Sequence, residues 1–350
     1  MNSSNNFEFE WITDWDTIYS EEFQKQWLNW VETALNSHVF FHPDLCMAWI
    51  KTYRPIRDLK PLFCIAKMGG TTIFLPLVLW KQNWKNAFQN LIVPVGYSDF
   101  DYHDPLILST ESLEKTANLF FNELLENLQE KYVFDLIHIN GILIKVKNSS
   151  ISLEKDIAPY AEIQKFQTSD DFLNSLKSKL RGDIRRQIRR LSEIENLHLI
   201  NYQGKQLSTG TLDVFLSSHI KRWPNAYKAP LFHKNIIEAG LKNGIVHFSE
   251  LKVGTETISW HLGFQFNKTF FYYMPTVDEK WQKFSPGKIH LFKLVEEAIN
   301  NKLEIFDHLR GEENYKTGWT NNIQNLYQVN LESSKVTAKI KSKMIQLKKN

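Results

Sequence analysis

Cysteine is nearly missing from these 350 residues: Cys46 and Cys64 are the only two, each inside an apolar segment. Two isolated thiols provide neither a disulfide framework nor a metal-ligand spacing, and they suit a reducing compartment. Long apolar runs are missing too. The longest, Phe74 to Trp80, is strand length and carries Pro76, well short of the roughly 18 residues that cross a bilayer. Residues 1–10 are polar and acidic, where a secretion signal would be basic and then apolar. The expectation is a cytoplasmic chain with no transmembrane segment and no metal site. Neither sign of charge dominates: 42 basic residues face 39 acidic ones, a net charge of +3. That balance argues against wholesale nucleic-acid binding and makes any local cluster informative.

What is present is apolar and aromatic material. Hydrophobic residues make up 43% and aromatic residues 13%, with 24 Phe and 11 Trp, a globular composition. The length suits two domains of roughly 150 residues each. Residues 145–156 are polar and without period, so they are the expected connector, dividing the chain into 1–155 and 156–350.

In the first half, Phe23, Trp27, Trp30 and Val31 mark a helix over 20–36, and His42-Pro43-Asp44 opens another. Strands over 61–68 and 71–80 meet at Gly69-Gly70, a hairpin signal. A helix over 113–131 and a strand over 134–139 follow. Ahead of that helix lies the loop 96–105, dense in acids and tyrosines. Asp99, Asp101 and Tyr102 there are candidate substrate contacts, since carboxylates and phenols bind hydroxyls and amines; an exposed turn would look the same.

The second half opens on an amphipathic helix over 169–194, with Leu173, Leu176, Leu180, Ile184, Ile188 and Leu191 in one stripe. Its segment 177–190 holds Lys177, Lys179, Arg181, Arg185, Arg186, Arg189 and Arg190 against the single acid Asp183. Such a face repels itself unless an anion is near: a phosphate-bearing ligand, nucleic acid, or an anionic membrane surface. A solvated face is the plain alternative. Strands over 245–252, 256–266 and 269–276 are spaced for an antiparallel meander. Ser285-Pro286-Gly287-Lys288-Ile289 then leads into a helix ending near Asn300. A turn from sheet into helix leaves backbone donors at the positive end of the helix dipole, suited to phosphate, although a proline opening any helix gives the same look. Residues 303–309 read as a strand with Ile305, Asp307 and Leu309 on its inward face. It runs into Arg310-Gly311-Glu312-Glu313-Asn314-Tyr315-Lys316-Thr317-Gly318-Trp319.

Four of these pieces occur in a known order and approximate spacing: the basic segment 181–191, Lys221-Arg222-Trp223, Ser285-Pro286-Gly287, and the run from Asp307 to Lys316. In this the chain resembles the CelD/BcsL-like, cellulose-biosynthesis-type acetyltransferases of the GNAT superfamily, most strongly over 165–330. The resemblance implies an α+β fold of two tandem GNAT-like domains, each a mixed, mostly antiparallel sheet flanked by helices, an arrangement shared with the Fem-type aminoacyl transferases. It implies an N-acyltransferase that moves an acetyl or other acyl group from acyl-CoA to an amine or hydroxyl of a sugar or cell-surface polysaccharide precursor. The pyrophosphate of acetyl-CoA or another acyl-CoA would rest on the backbone of Ser285, Pro286, Gly287, Lys288 and Ile289.

Direct transfer needs a group to take the ammonium proton, donors for the developing oxyanion and an acid for the departing thiolate. Asp307 or Glu312 is the candidate base, His261 a base acting through water, and Tyr315 the acid. Lys316 and Arg310 could neutralise a phosphate or carboxylate. His219, Arg222 and Trp223 are candidate acceptor contacts, because tryptophan stacks on sugar faces and arginine binds anions. The plain alternative is that Asp307 and Arg310 pair structurally. Two other functions stay open: Fem-like transfer from aminoacyl-tRNA, with helix 177–190 facing the RNA, and a non-catalytic GNAT-like binding module. A homo-oligomer is also left open.

Overall fold

Apolar side chains at every position of 61–66, and again of 73–78, make two strands that must be covered on both faces. That requirement organises the first part of the chain. The computed structural model describes residues 6–109, 111–147, 150–205, 207–226, 228–229 and 231–349. They form two units, residues 1–156 with 325–350, and residues 157–324.

The first unit contains β1 (Glu8–Ile12), α1 (Trp15–Tyr19), α2 (Glu21–Thr33), α3 (Pro43–Tyr53), β2 (Asp58–Met68), β3 (Thr71–Lys81), β4 (Asn90–Pro94), β5 (Leu106–Leu108), α4 (Leu113–Lys131) and β6 (Leu136–Ile142). Its strands run in the order β1-β2-β3-β4-β6, with β5 beside β3. β4 and β6 are parallel and the other pairs antiparallel. Helix α4 covers one face with Phe120, Phe121, Leu124 and Leu128. On the other face the ring of Trp27 in α2 meets Phe63 and Phe74 edge-on at 5.5 and 5.1 Å.

β7 (Ile151–Glu162) occupies the second half of the expected connector; positions 148 and 149 lie outside the described residues. Its period is disguised because an acid points inward: Glu154 is buried and accepts the N–H of Gly141. The second unit continues with α5 (Ser169–Ser175), α6 (Ser178–Ser192), β8 (Leu197–Asn201), α7 (Thr209–Arg222), α8 (Phe232–Gly240), β9 (Val246–Val253), β10 (Glu256–Phe266), β11 (Thr269–Val277), α9 (Pro286–Asn300) and β12 (Ile305–Asp307). The strand order is β7-β12-β11-β10-β9-β8. The expected meander is β9-β10-β11, turning at Gly254 (φ 57°) and at Asn267-Lys268 (φ 43° and 57°). Helices α5, α6 and α9 cover one face through Phe172, Ile184, Ile289 and Val295. On the other, Phe215 of α7 meets Phe248 at 5.1 Å.

Three expectations are corrected. The helix over 169–194 is two helices, because Leu176 turns extended (ψ 157°) and the Ser175 hydroxyl bonds back to the carbonyl of Phe172. Residues 325–350 fold with the first unit: β13 (Asn322–Glu332) pairs with β6, its Val329 joins the core under α4, and α10 (Val336–Lys349) follows. The strand over 303–309 is only Ile305–Asp307, and its buried face is Phe306 with His308, so Asp307 points the other way. Among the described residues no helix is long and apolar enough to cross a membrane.

Candidate active site

β11 and β12 lie parallel for three residues only, Thr269–Phe271 beside Ile305–Asp307. Past that point the chain turns off: Leu309 takes φ 60°, and its N–H donates to Asp307 Oδ1 at 2.7 Å. The β11 edge beyond Phe271 is therefore left without β12. Just there β11 carries a bulge. Leu262 pairs with Met274 but Phe264 pairs with Phe271, so Tyr272 and Tyr273 together face Gly263. Only glycine fits opposite, since a Cβ at Gly263 would lie 2.4 Å from His261 Cε1 and 2.6 Å from the Phe271 carbonyl.

The ring of Tyr272 is buried and stacks on His261 at 4.4 Å with 11° between planes. Burial, then the neighbouring Tyr315, hold this phenol well above the ordinary tyrosine range, while Arg222 acts in the opposite direction. It therefore stays protonated.

After β12 the chain wraps around one ammonium group. Lys316 is buried and donates to the carbonyls of Arg310 at 2.6 Å and Leu309 at 3.3 Å, with Glu313 Oε2 at 2.9 Å. Gly311, at φ 129°, makes the closure feasible: a Cβ there would fall 2.2 Å from Glu313 Oε2 and 3.0 Å from Lys316 Nζ. Three oxygens take up the three protons, so Lys316 braces the loop and does not present its charge to a phosphate, correcting the expected role. Arg310 and Asp307 are half-buried, and Glu312 is exposed. Tyr315 is 44% exposed; partial burial and then the Glu313 carboxylate raise its phenol above the ordinary range, and Arg222 opposes them.

The turn into α9 has Ser285 at φ 53°, with no side-chain cap, and Pro286 at the first helical position. The amides of Lys288 and Ile289 both reach the Ser285 carbonyl, at 3.0 and 3.3 Å. A Cβ on Gly287 would meet Val277 Cγ1 at 3.2 Å, so the helix start rests against the end of β11. The Lys288 ammonium is tied to Asp183 of α6, whose carboxylate also holds Arg186; this correction removes Lys288 as a free phosphate ligand. Lys288 is the main reason Asp183 sits below the usual carboxylate range. Around the same turn the Arg190 guanidinium lies 4.7 Å and Lys283 Nζ 5.2 Å from the Phe284 ring. The basic helix thus has one edge at the α9 start. Elsewhere its cations pair locally, Arg185 with Asp170 at 4.0 Å and Arg189 with Glu193 at 3.6 Å. Ser285 donates to the Gln282 carbonyl at 3.0 Å and Pro286 has no N–H, so of this stretch the Gly287 amide is left, with Arg190 and Lys283 at its side, to meet an anion.

Behind Tyr272 lies a layer of buried histidines. His290 sits between the hydroxyls of Ser249 and Ser259, at 2.9 Å from each, and burial, then His247, bring it down to about 3. His308 is also lowered to about 3, by burial and then Lys316. His261 falls well below the ordinary range through burial and then His290 and His247, and neither ring nitrogen finds a partner among the described residues. This corrects its expected role: a fully buried, weakly basic imidazole supports the Tyr272 ring and meets no acceptor. At the end of α7, His219 is buried and lowered to about 4 by burial and then Arg222. Arg222 and Trp223 are exposed, the guanidinium 5.7 Å from the indole.

Residues 178–317 match the family model described as an acetyltransferase (GNAT) domain. That span holds the parted strands, the bulge and the turn into α9. The second unit carries a GNAT acetyltransferase domain. The crystal structure of FemX shares 12% identity with this chain, covering 98% of it and 100% of FemX, at a TM-score of 0.61. A conserved protein of unknown function from Bacteroides thetaiotaomicron shares 11%, covering 93% and 100%, at a TM-score of 0.55. The C-terminal domain of a candidate lysylphosphatidylglycerol synthetase from Agrobacterium fabrum shares 8%, covering 93% and 97%, at 0.57. At these identities the likeness is one of fold, and it extends over both units. No curated protein matches the sequence. The chain has the expected α+β GNAT fold, a mixed sheet flanked by helices, and the domain match with that fold supports an N-acyltransferase.

The loop 96–105 of the first unit does not belong to the GNAT domain, and it is not an open turn. Asp99 accepts the Trp49 indole N–H and the Tyr53 hydroxyl, each at 3.0 Å. Asp101 is half-buried, its carbonyl 2.2 Å from where a Cβ on Gly141 would stand. Tyr102 is buried against His38 at 5.5 Å and Phe40 at 5.7 Å, which corrects its expected part in binding substrate. Conversely, Tyr272 and the bulge escaped the sequence reading of the GNAT domain. The signal that could have found them is Gly263, an isolated glycine inside a strand pattern.

Proposed function

We propose that the chain transfers an acetyl or other acyl group from an acyl-CoA to an amine or hydroxyl of a sugar or cell-surface polysaccharide precursor, in the manner of the CelD/BcsL-like acetyltransferases. The observation that carries this reading is the parting of β11 from β12 beside the β11 bulge that carries Tyr272. In it, the donor's diphosphate lies at the start of α9 along Ser285 to Ile289, with Arg190 and Lys283 at its side. The open edge of β11 supplies amide donors for the reacting carbonyl, and Tyr272 or Tyr315 supplies a proton to the departing sulfur. Asp307 orients the acceptor, and Trp223 with Arg222 offers a flat apolar face and a cation to a sugar-type acceptor.

The test is release of free thiol from acetyl-CoA against a panel of amino sugars. Tyr272→Phe should lower kcat at least tenfold with an unchanged melting temperature, because general acids contribute roughly 10²–10⁴. Equal kcat in the variant removes the phenol from the reaction.

A second reading, transfer from aminoacyl-tRNA, is supported by the exposed arginines of α6, Arg185, Arg186 and Arg189. Heat on titration with acetyl-CoA favours the first reading. A tRNA complex that weakens steeply with salt, without such heat, favours the second.

A further inference from the structure

Helix α10 presents two unlike faces. One docks: Ala338 is buried, Lys341 Nζ reaches Asp135 at 2.8 Å and the Phe88 carbonyl at 3.1 Å, and the Ser342 hydroxyl reaches Glu332 at 3.3 Å. The other leaves Val336, Ile340, Met344 and Leu347 exposed by 72%, 53%, 47% and 78%. Steps of four, four and three put these side chains in one stripe. Lys339 and Lys343 border it. Residues 333–350 hold six lysines and no acid.

The stripe is not alone. The bond from Lys341 to Phe88 brings the segment 84–88 beside the helix, and there Trp84 and Phe88 are 62% and 55% exposed next to Lys85. Val133, two residues before Asp135, is 63% exposed. These apolar side chains all belong to the first unit and gather around the Asp135–Lys341 bridge.

We infer that this surface docks the first unit onto an anionic bilayer. α10 lies in the headgroup plane, its apolar stripe at the acyl boundary and its lysines on lipid phosphates. The helix has 14 residues, too few to span but enough to lie flat. Exposed tryptophan and phenylalanine beside it suit the same interface. Two copies of the same face would set lysine against lysine, so a bilayer satisfies both the charge and the apolar stripe where a second chain does not.

The test is co-sedimentation of the full chain with vesicles of phosphatidylcholine alone and of phosphatidylcholine with one quarter phosphatidylglycerol. Binding is expected to the anionic vesicles only and to weaken as salt rises. Ile340→Glu with Leu347→Glu should lower partitioning at least tenfold, and Lys339→Ala or Lys343→Ala about fivefold each. Melting temperatures should not change, because these side chains stand outside the core. Three results overturn the inference: wild-type chain that sediments no more with anionic than with neutral vesicles, a double variant that binds as well as wild type, or light scattering that shows a wild-type dimer and a monomeric double variant.

Discussion

Acid should loosen the second unit before its carboxylates begin to titrate, because His261 and four more of its imidazoles are buried where they cannot take up protons while folded. His233, His290 and His308 are held at about 3 and His219 at about 4, burial being the main cause at each. In the unfolded chain they would titrate near 6.5. A base whose folded pKa lies below its unfolded one is protonated preferentially by the unfolded state. Its contribution is therefore fully present above pH 6.5 and is lost as the pH falls from there toward the folded value. At about pH 5.5 the linkage is about 1.4 kcal/mol per histidine, on the order of 5 kcal/mol for the four. That is a large share of the roughly 5–15 kcal/mol by which domains are stable. With about 2–4 °C per kcal/mol in a unit of this size, Tm should fall on the order of 10 °C or more. Circular-dichroism melts in steps from about pH 8 to about pH 5 measure it, and His308→Gln should remove one histidine's share of the drop. A Tm constant within about 2 °C down to pH 5.5 would show that these rings are hydrated. The histidine layer behind Tyr272 would then be refuted.

Other consequences follow from single side chains. Lys316→Ala should destabilise the protein by about 2–4 kcal/mol, since it strips a buried ammonium from two carbonyls and a carboxylate; a variant that melts like wild type yet loses turnover would return Lys316 to catalysis. Gly263→Ala should cost about 2 kcal/mol or more and lower acetyl-CoA affinity, because the Cβ collides with His261 and the Phe271 carbonyl; unchanged stability would deny the tight bulge. Asp183→Asn frees Lys288 and Arg186 beside the α9 turn and should tighten acetyl-CoA binding a few-fold at low salt; weaker binding would mean that Asp183 positions those cations for the ligand.

Much of this was legible because it rests on local patterns. The apolar periods of α2 and α4, the Gly69-Gly70 hairpin and the three-strand meander follow from spacing and turn chemistry, and each is present. Spacing was misleading where a polar side chain points inward. Glu154 hid β7, and His308, not Asp307, shares the buried face with Phe306. The candidate site was legible as a set of segments, not as roles. Nothing in the order of residues tells that Lys316 turns its ammonium onto the carbonyls of its own loop, or that Lys288 meets Asp183 from 105 positions away. Those outcomes depend on tertiary approach. Tyr272 read as one aromatic in an apolar strand, and only the mismatch in register with β10 sets its hydroxyl apart.

Calorimetric titration with acetyl-CoA, wild type beside Gly287→Asp, probes the start of α9 most directly. The prediction is saturable heat at one site per chain for the wild type and none for the variant, whose carboxylate would stand against Val277 where the diphosphate is to lie. Equal heats from the two proteins, or no heat from either, would contradict a thioester donor held at that turn.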